Sequence, residues 1–169
     1  MMSSRLSRAK PQAPTLLTTK HDVLAFCSGE PVLDDWLKKR ALRNQNSGAS
    51  RTYVVIAEKK QVIAYYSLAV GSVRRQTAMP RIRRNMPDPI PVMILARLAV
   101  DQAWQGKGLG HGLLKDAVLR TLQAADIAGI RAMLVHALSE DAKRFYQYFG
   151  FKTSGLDSMT LMALLPDLA

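Results

Sequence analysis

Residues 92–125 decide the fold. They read VMILARLAVD (92–101), QAWQGKGLG (102–110) and HGLLKDAVLRTLQAA (111–125). The first segment is an apolar run typical of a buried strand, the second is rich in glycine, and the third has apolar residues at the helical period. A glycine turn between a strand and a helix lets the backbone approach a ligand and offers it the unpaired N–H groups at the positive helix end. The stretch therefore predicts a phosphate-binding turn.

The turn at 105–110 matches neither common nucleotide-binding loop. A P-loop needs a Lys-Ser or Lys-Thr pair after its second glycine, where this chain has Leu109 and Gly110. The dinucleotide pattern G-x-G-x-x-G is not completed after Gly108, because His111 stands at its last place. On its own, the glycine cluster is consistent both with a phosphate site and with a purely structural turn.

The remaining sequence predicts a single α/β domain with a mixed sheet flanked by helices. The predicted helices are 33–45, 109–125 and 140–148, and the predicted strands are 52–57, 62–70, 92–100, 131–138 and 158–165. A hairpin followed by alternating strands and helices is typical of such a sheet. We place the domain at 16–169 and expect the basic residues 1–15 to form a flexible tail.

The charge of the chain indicates a polyanionic partner. Its 24 Lys and Arg exceed its 13 Asp and Glu, which gives a formal net charge of +11. The excess is clustered, because residues 71–87 hold five arginines and no acid. Solubility needs less charge than this, so RNA or DNA is favoured over a membrane surface. The alternative is a basic surface that contacts only solvent.

Cysteine content and hydropathy favour the cytoplasm. The single cysteine, Cys27, cannot form an internal disulfide, which suits a reducing compartment. We expect it to be a packed residue of the first helical region. No apolar run reaches the roughly 18 residues of a membrane span, and residues 1–20 lack the apolar core of a secretory signal.

Two motifs in a fixed order resemble the GNAT acetyltransferase superfamily. The turn matches the acetyl-CoA pattern Q/R-x-x-G-x-G/A at Gln105, Gly108 and Gly110. Further along the chain, FYQYFGF (145–151) matches the F-Y-x-x-x-G-F motif that follows this turn in that family. The resemblance covers about 16–165. It implies the GNAT fold, acetyl-CoA as co-substrate and no metal.

The resemblance narrows to the GNAT toxins of bacterial toxin–antitoxin pairs. It rests on LDDWLKKRA (33–41), TYVV (52–55), SVRRQ (72–76) and MPDPIPVMILARLAVD (86–101), taken together with the turn. Those toxins acetylate the free α-amine of aminoacyl-tRNA and thereby stop translation. The resemblance implies the same activity here, a small ribbon–helix–helix antitoxin as partner, and a symmetric homodimer.

The resemblance also assigns the donor site. Leu98, Ala99 and Val100 are expected to present backbone groups to the pantetheine arm. The pyrophosphate is expected on the turn residues Gln105, Gly106, Lys107, Gly108, Leu109 and Gly110. Lys107 would add a charge-assisted contact. Ser139 stands where many members of the family place an asparagine that meets the CoA arm.

Tyr146 is implied as the general acid of the reaction. Acetyl transfer from a thioester leaves a thiolate, which a phenol within hydrogen-bond reach can protonate. From the residue type alone, simple core packing is the alternative, and Tyr148 lies on a different helix face. No general base is evident, since His136 falls on a predicted buried strand. A free α-amine has a pKa of about 7.7–8.0, against about 10.4 for lysine, and we expect an esterified one to be lower, so much of it is already neutral at cellular pH.

Two groups of basic residues are candidates for binding the tRNA backbone. The first is the arginine-rich loop with Arg74, Arg75, Arg81, Arg83 and Arg84, and the second is the first predicted helix with Lys38, Lys39, Arg40 and Arg43. Phosphate contacts hold and orient RNA without reading its sequence. Some of these charges could instead meet an antitoxin tail.

Two other functions stay open at this point. One is a GNAT enzyme that acts on a protein N-terminus or a small amine, which would not need the arginine-rich loop. The other is a non-catalytic RNA-binding module that keeps the acetyl-CoA fold. The intact Tyr146 and glycine turn speak against this last alternative.

Overall fold

The computed structural model describes residues 10–169. Within them the strands are β1 (Thr15–Leu16), β2 (Arg51–Ile56), β3 (Val62–Val73), β4 (Ile90–Val100), β5 (Ala132–His136), β6 (Lys152–Thr153) and β7 (Thr160–Leu164). The α-helices are α1 (Pro31–Lys39), α2 (Ala41–Asn46), α3 (Pro80–Arg83), α4 (Leu109–Ala125), α5 (Glu140–Phe149) and α6 (Leu165–Leu168). Short 3₁₀ turns occupy Glu58–Lys60, Arg75–Thr77 and Gln102–Trp104.

The described strands form one mixed sheet in the order β1-β2-β3-β4-β5-β7-β6. β4 and β5 are parallel, with Val92 opposite Ala132. A parallel pair needs a crossover connection, which the α4 helix supplies. β7 runs antiparallel to both β5 and β6, and β1 runs antiparallel to β2. The predicted mixed α/β sheet flanked by helices is confirmed.

The described residues fall into two compact units. The first comprises the residues up to Ser67 together with Arg97–Asp116, and the second comprises Leu68–Ala96 together with Ala117–Ala169. The glycine turn belongs to the first unit and Tyr146 to the second.

Three aromatic rings form the centre of the first unit's core. The Trp36 ring lies nearly parallel to the Tyr65 ring, with centroids 6.1 Å apart, and Phe26 meets Tyr65 edge-on at 5.6 Å. The buried Tyr65 hydroxyl donates a hydrogen bond to the Leu33 carbonyl at 2.7 Å. Because a buried phenol needs a hydrogen-bond partner, this contact fixes α1 against β3.

Apolar side chains from strands β3, β4, β5 and β7 and from helix α3 form the core of the second unit. Val92 of β4, Leu134 of β5 and Met162 of β7 pack together with Ile82 of α3, all of them buried. These strands are nearly continuous apolar runs in the sequence, as expected of strands that are covered on both faces.

The helix predicted at 33–45 is interrupted at Arg40. This residue has φ −127° and ψ −25°, which separates α1 from α2. The change of direction buries Ala41. It also places Gln45 where its side-chain amide donates to the Leu17 carbonyl at 2.7 Å and its side-chain carbonyl accepts from the Thr52 N–H at 3.0 Å. Helical periodicity reports only local spacing and contains no information on these long-range hydrogen bonds, so the sequence predicted one continuous helix.

The other predicted elements are present, with shifted ends. Helix 109–125 has the predicted bounds, and α5 ends one residue beyond its predicted end. The Ser139 hydroxyl caps α5 by accepting from the Ala142 N–H at 3.1 Å, and Gly150 ends the helix with φ +114°. Only glycine adopts that conformation without strain. The sequence missed β1, β6, α3 and α6, which are two to four residues long.

Residues 1–9 of the predicted flexible tail lie outside the described residues. Within 1–15, the Gln12 N–H donates to the Ile56 carbonyl at 3.2 Å and Thr15 already belongs to β1. The prediction that Cys27 is packed in a helix is wrong, because it is exposed and lies in the loop before α1.

Candidate active site and basic surfaces

The glycine turn has the backbone geometry that requires glycine. Gly106 has φ +76° and Gly108 has φ +84°. A side chain at either position would meet no atom within 4 Å. Backbone conformation is therefore what selects glycine here, not lack of space. α4 begins at Leu109, directly after the turn, so its first N–H groups and the positive end of its dipole lie where the anion is predicted.

Gln105 holds the turn through its side chain. The carboxamide nitrogen donates to the Val100 carbonyl at 2.8 Å and to the Ser28 carbonyl at 2.9 Å. These bonds tie the turn to the end of β4 and to the loop before α1. The glutamine of the motif thus positions the turn, while a ligand contact from its backbone N–H remains a prediction.

Asp101 is a positioning residue that the sequence reasoning missed. One oxygen of its carboxylate accepts from the Ala103 N–H at 2.9 Å, and the other accepts from the Cys27 N–H at 3.0 Å. An aspartate that closes a strand and bonds the backbone two residues later is a typical turn former. That local pattern was readable in the sequence, whereas the contact with Cys27 was not.

The other predicted donor-site residues of the first unit lie around this turn. Leu98, Ala99 and Val100 are the last three residues of β4, and Ala99 is buried among the core residues of that unit. The Lys107 ammonium lies 5.5 Å from the centre of the Trp104 ring, a cation–π distance that keeps the charge beside the turn.

Tyr146 is held by its ring, and its hydroxyl is left without a partner. The ring packs edge-on against Phe145 at 5.3 Å and against Phe151 at 5.8 Å. Among residues 10–169 the hydroxyl has no hydrogen-bond partner. Burial raises the pKa of Tyr146 to about 12. The phenol is therefore protonated throughout the physiological range, and its proton is not engaged by another group.

Neighbouring residues of α5 and its cap behave differently from Tyr146. Tyr148 is 87% exposed, in keeping with its position on another helix face. The oxygen of Ser139 accepts the capping hydrogen bond from Ala142, so this serine has a structural task at the helix start. Its hydroxyl proton is still available to a ligand, and the predicted contact with the CoA arm remains a prediction.

His136 ends β5 and, contrary to the sequence prediction, is exposed. Its Nδ1 lies 2.9 Å from the Thr160 hydroxyl, which in turn donates to Asp157 at 2.9 Å. The bond from Thr160 lowers the pKa of Asp157, so this carboxylate is ionised and can only accept. The Thr160 proton is then committed to Asp157, so the contact with His136 requires a proton on Nδ1.

The arginine-rich loop is folded, and its arginines are not equivalent. Arg81 makes two hydrogen bonds to the Asp167 carboxylate, at 2.5 and 3.1 Å. Arg75 donates from its side chain to the Arg83 carbonyl at 3.1 Å and from its backbone to Asp88. Arg74 and Arg84 are exposed, and neither forms an ion pair with an acid that the structure describes. Among the predicted tRNA-binding arginines of this loop, Arg74 and Arg84 are therefore the ones whose charge is most available to a polyanion.

The second predicted basic group lies on α1 and α2. Lys39 is 3.9 Å from Asp35 in an exposed ion pair one helical turn apart. Lys38 and Arg43 are exposed and form no ion pair within residues 10–169. Arg40 stands between the two helices and is also exposed. The structure thus keeps three free cations on this helical pair.

The motifs and the sheet agree with a known enzyme family. The sequence model of the acetyltransferase (GNAT) domain family matches residues 49–153 of this chain. The chain belongs to the GNAT acetyltransferase family. This GNAT acetyltransferase is 51% identical to a tRNA-acetylating toxin of Mycobacterium tuberculosis over 155 residues, which cover 92% of this chain and 93% of that protein.

Solved structures of toxins have the same fold as this GNAT acetyltransferase. AtaT complexed with acetyl-methionyl-tRNAfMet superposes with a TM-score of 0.86 at 28% identity, covering 94% of this chain and 97% of that one. A tyrosine-to-phenylalanine mutant of AtaT, bound to the C-terminus of the antitoxin AtaR and to acetyl-CoA, superposes with a TM-score of 0.78 at 26% identity, covering 94% and 96%.

The described part of this GNAT acetyltransferase shows neither a metal-binding cluster nor a membrane-spanning helix. Residues 10–169 contain no group of three or more His, Cys, Asp or Glu side chains arranged to hold a metal ion. Over the same residues, no helix combines the length and the apolar character that crossing a membrane requires.

Proposed function

We propose that this GNAT acetyltransferase is the toxin of a toxin–antitoxin pair that transfers acetyl from acetyl-CoA to the α-amine of aminoacyl-tRNA and so blocks translation. The observation that carries this proposal is the 51% identity, over nearly the whole chain, to a tRNA-acetylating toxin. The glycine turn and the free hydroxyl of a buried tyrosine supply the chemistry that such a transfer needs.

The donor binds along β4 and at the start of α4. The N–H groups of 105–110 hold the pyrophosphate, aided by the α4 dipole. Lys107 adds a charge-assisted contact, and the backbone of Leu98, Ala99 and Val100 orients the pantetheine arm. Ser139 offers its hydroxyl proton to the same arm. The bonds of Gln105 and Asp101 preorganise the turn, so little ordering is left to occur on binding.

The acceptor amine needs little activation. A free α-amine has a pKa of about 7.7–8.0, and an ester on the same carbon lowers it further, so the neutral form dominates at cellular pH. The nitrogen lone pair attacks the thioester carbonyl carbon, the C–N bond forms, and the tetrahedral intermediate collapses by breaking the C–S bond. The sulfur leaves with the electron pair of that bond.

Tyr146 delivers a proton to the departing sulfur. A free thiol has a pKa of about 8.5, whereas burial raises that of Tyr146 to about 12. Giving up the phenol proton outright is therefore unfavourable. The transfer is completed because the nitrogen loses a proton as the amide forms, and that proton restores the phenol. The balance is one proton moved from nitrogen to sulfur, with Tyr146 as the relay.

The partners follow from the same proposal. Aminoacyl-tRNA is the acceptor, and the free cations Arg74, Arg84, Lys38 and Arg43 contact its phosphates, with Arg75, Arg81 and Arg83 shaping the loop. A cognate antitoxin of the ribbon–helix–helix kind binds the toxin. The working form is a homodimer in the cytoplasm. The AtaT structure with the C-terminus of AtaR supports an antitoxin segment as partner.

One transfer experiment tests the function. The protein is incubated with labelled acetyl-CoA and, in separate reactions, charged tRNA, deacylated tRNA and a protein extract. Label on charged tRNA alone is expected. Label in protein would favour the enzyme with a protein amine as substrate, and RNA binding without any transfer would favour the non-catalytic module.

A further inference from the structure

A polar groove of about 680 Å³ opens in the first unit between α1, α2 and β4. Its lining includes Trp36, Lys39 and Arg40 near the break between the helices, Asn44 on α2 and Arg97 on β4. The only described carboxylate in this lining is Asp35, which is 3.9 Å from Lys39. The charge that remains in the groove is positive.

Arg97 is the unusual residue of this groove. Its guanidinium lies 4.2 Å from the centre of the Trp36 ring, and its side chain is half-buried. Within residues 10–169 no carbonyl or carboxylate accepts a hydrogen bond from it. Burial lowers the pKa of Arg97, Tyr65 opposes this shift in part, and the positive charge of Arg40 adds to it. A guanidinium that is partly withdrawn from water, unpaired and next to a second cation is costly unless an anion joins it.

The side chains beside Arg97 are also without partners. Neither the Arg40 guanidinium nor the Asn44 carboxamide has a hydrogen-bond partner among the described residues. Two guanidinium groups and one amide therefore face a single cavity with their donors free. A tetrahedral oxyanion suits this arrangement, because a guanidinium donates two parallel hydrogen bonds to phosphate oxygens.

The position of Arg97 on β4 relates the groove to the reaction. Arg97 directly precedes Leu98, the first residue of the segment proposed for the pantetheine arm, and one strand residue advances the chain by about 3.3 Å. Side-chain alternation puts Arg97 on the same face as Ala99, towards α1. An anion held in the groove therefore lies close to the acetyl donor, where the reacting end of the acceptor must also arrive.

We propose that this groove, through Arg97 and Arg40, binds a backbone phosphate next to the aminoacylated end of the RNA substrate. The inference rests on the proposed function and deepens it. A phosphodiester chain is favoured over an acidic peptide because the exposed cations Lys38 and Arg43 extend the charge along the same two helices. A row of phosphates matches such a strip, and the groove holds the phosphate nearest the chemistry.

The test compares two acceptors that differ in phosphate. One is aminoacyl-tRNA, and the other is the same amino acid esterified to adenosine, which has no phosphate. For Arg97→Gln and Arg40→Gln, the KM for aminoacyl-tRNA is expected to rise about tenfold or more, since hydrogen bonds to charged groups are strong. The KM for aminoacyl-adenosine and for acetyl-CoA is expected to stay unchanged. The slope of log affinity against log salt concentration for tRNA binding should decrease by the amount expected for about one phosphate contact.

Matched variants keep the test interpretable. Lys115→Gln removes one positive charge from the exposed face of α4 and is expected to leave every KM unchanged. Arg97→Lys keeps the charge but loses the paired donors, so it should recover only part of the affinity. Arg40 is exposed and packs against no core ring, so Arg40→Gln keeps the test valid even if Arg97→Gln impairs folding.

The outcomes separate this inference from the function on which it rests. If the wild-type protein acetylates no tRNA, the proposed function fails and the inference fails with it. If the wild type is active and both variants bind aminoacyl-tRNA normally, only the phosphate site is overturned. The phosphate site is also overturned if the variants raise the KM for aminoacyl-adenosine as much as the KM for aminoacyl-tRNA. It is overturned as well if the variants weaken only the binding of an acidic antitoxin peptide.

Discussion

At the scale of single residues, Tyr146 combines a packed ring with an unengaged hydroxyl. Aromatic side chains in a core contribute mainly through the area they bury, so the ring alone accounts for the stability that this residue supplies. The hydroxyl forms no hydrogen bond within the described residues, and it is therefore available to a ligand. The two parts of the side chain can therefore be tested separately.

Replacing Tyr146 by phenylalanine is expected to lower kcat by roughly 10²-fold or more, the usual contribution of a positioned general acid. The Kd for acetyl-CoA and the melting temperature should change little, because the ring contacts are kept. Rapid-quench acetyl transfer, calorimetric titration and thermal unfolding measure the three quantities. Transfer at the wild-type rate would remove Tyr146 from the reaction.

The pH dependence should show a rise and no fall. The rate increases as the α-amine loses its proton, at or below about pH 8. Tyr146 must be protonated to act, and its raised pKa of about 12 keeps it so across the accessible range. We expect kcat/KM for aminoacyl-tRNA to rise to a plateau and to stay on it up to about pH 9.5. A descending limb between pH 8 and 9 would mean that another acid donates the proton.

At the scale of elements, the glycine turn and α4 act together. Gly108 has φ +84° in the turn, whereas Gly112 lies inside α4 and has no neighbour within 4 Å of an added methyl group. The same substitution therefore has opposite consequences four residues apart.

Gly108→Ala is expected to raise the KM for acetyl-CoA several-fold, since a left-handed conformation costs a residue with a Cβ roughly 1–2 kcal/mol. Gly112→Ala is the matched control and should be neutral or stabilise the protein by up to about 1 kcal/mol. Steady-state kinetics and chemical denaturation of both variants provide the measurement. Equal KM values in the two variants would contradict a role for the turn conformation.

The elements that sequence predicted best are those that local chemistry specifies. The apolar period fixed both ends of α4, and a capping serine with a terminal glycine bounded α5. The sequence did not predict the break at Arg40, because the hydrogen bond from Gln45 to Leu17 that stabilises it joins residues distant in sequence. The free hydroxyl of Tyr146 and the Arg97 groove escaped for the same reason. A motif specifies residue types, whereas only the packed structure shows whether the Tyr146 hydroxyl or the Arg97 guanidinium has a hydrogen-bond partner.

At the scale of the whole molecule, the large positive charge is not uniformly available. Arg81 is neutralised by Asp167, while Arg74 and Arg84 have no acidic partner among residues 10–169. Net charge therefore overstates the number of cations that can release counterions from RNA.

Arg74→Glu combined with Arg84→Glu is expected to weaken tRNA binding strongly at low salt and less at high salt. Arg81→Gln should have a smaller effect on binding, because its charge is already shared with Asp167. Filter binding of tRNA across a salt series gives both affinity and slope. An effect of Arg81→Gln as large as that of the double variant would reassign the surface.

The exposed loop before α1 makes the protein easy to observe in solution. Cys27 is the single thiol of the chain, and its backbone is bonded both to Asp101 and to the Gln102 N–H at 2.8 Å. A maleimide dye reacts at one place only, beside the segment that precedes the glycine turn. We expect its fluorescence to follow the binding and release of acetyl-CoA at the proposed donor site, without any engineered mutation.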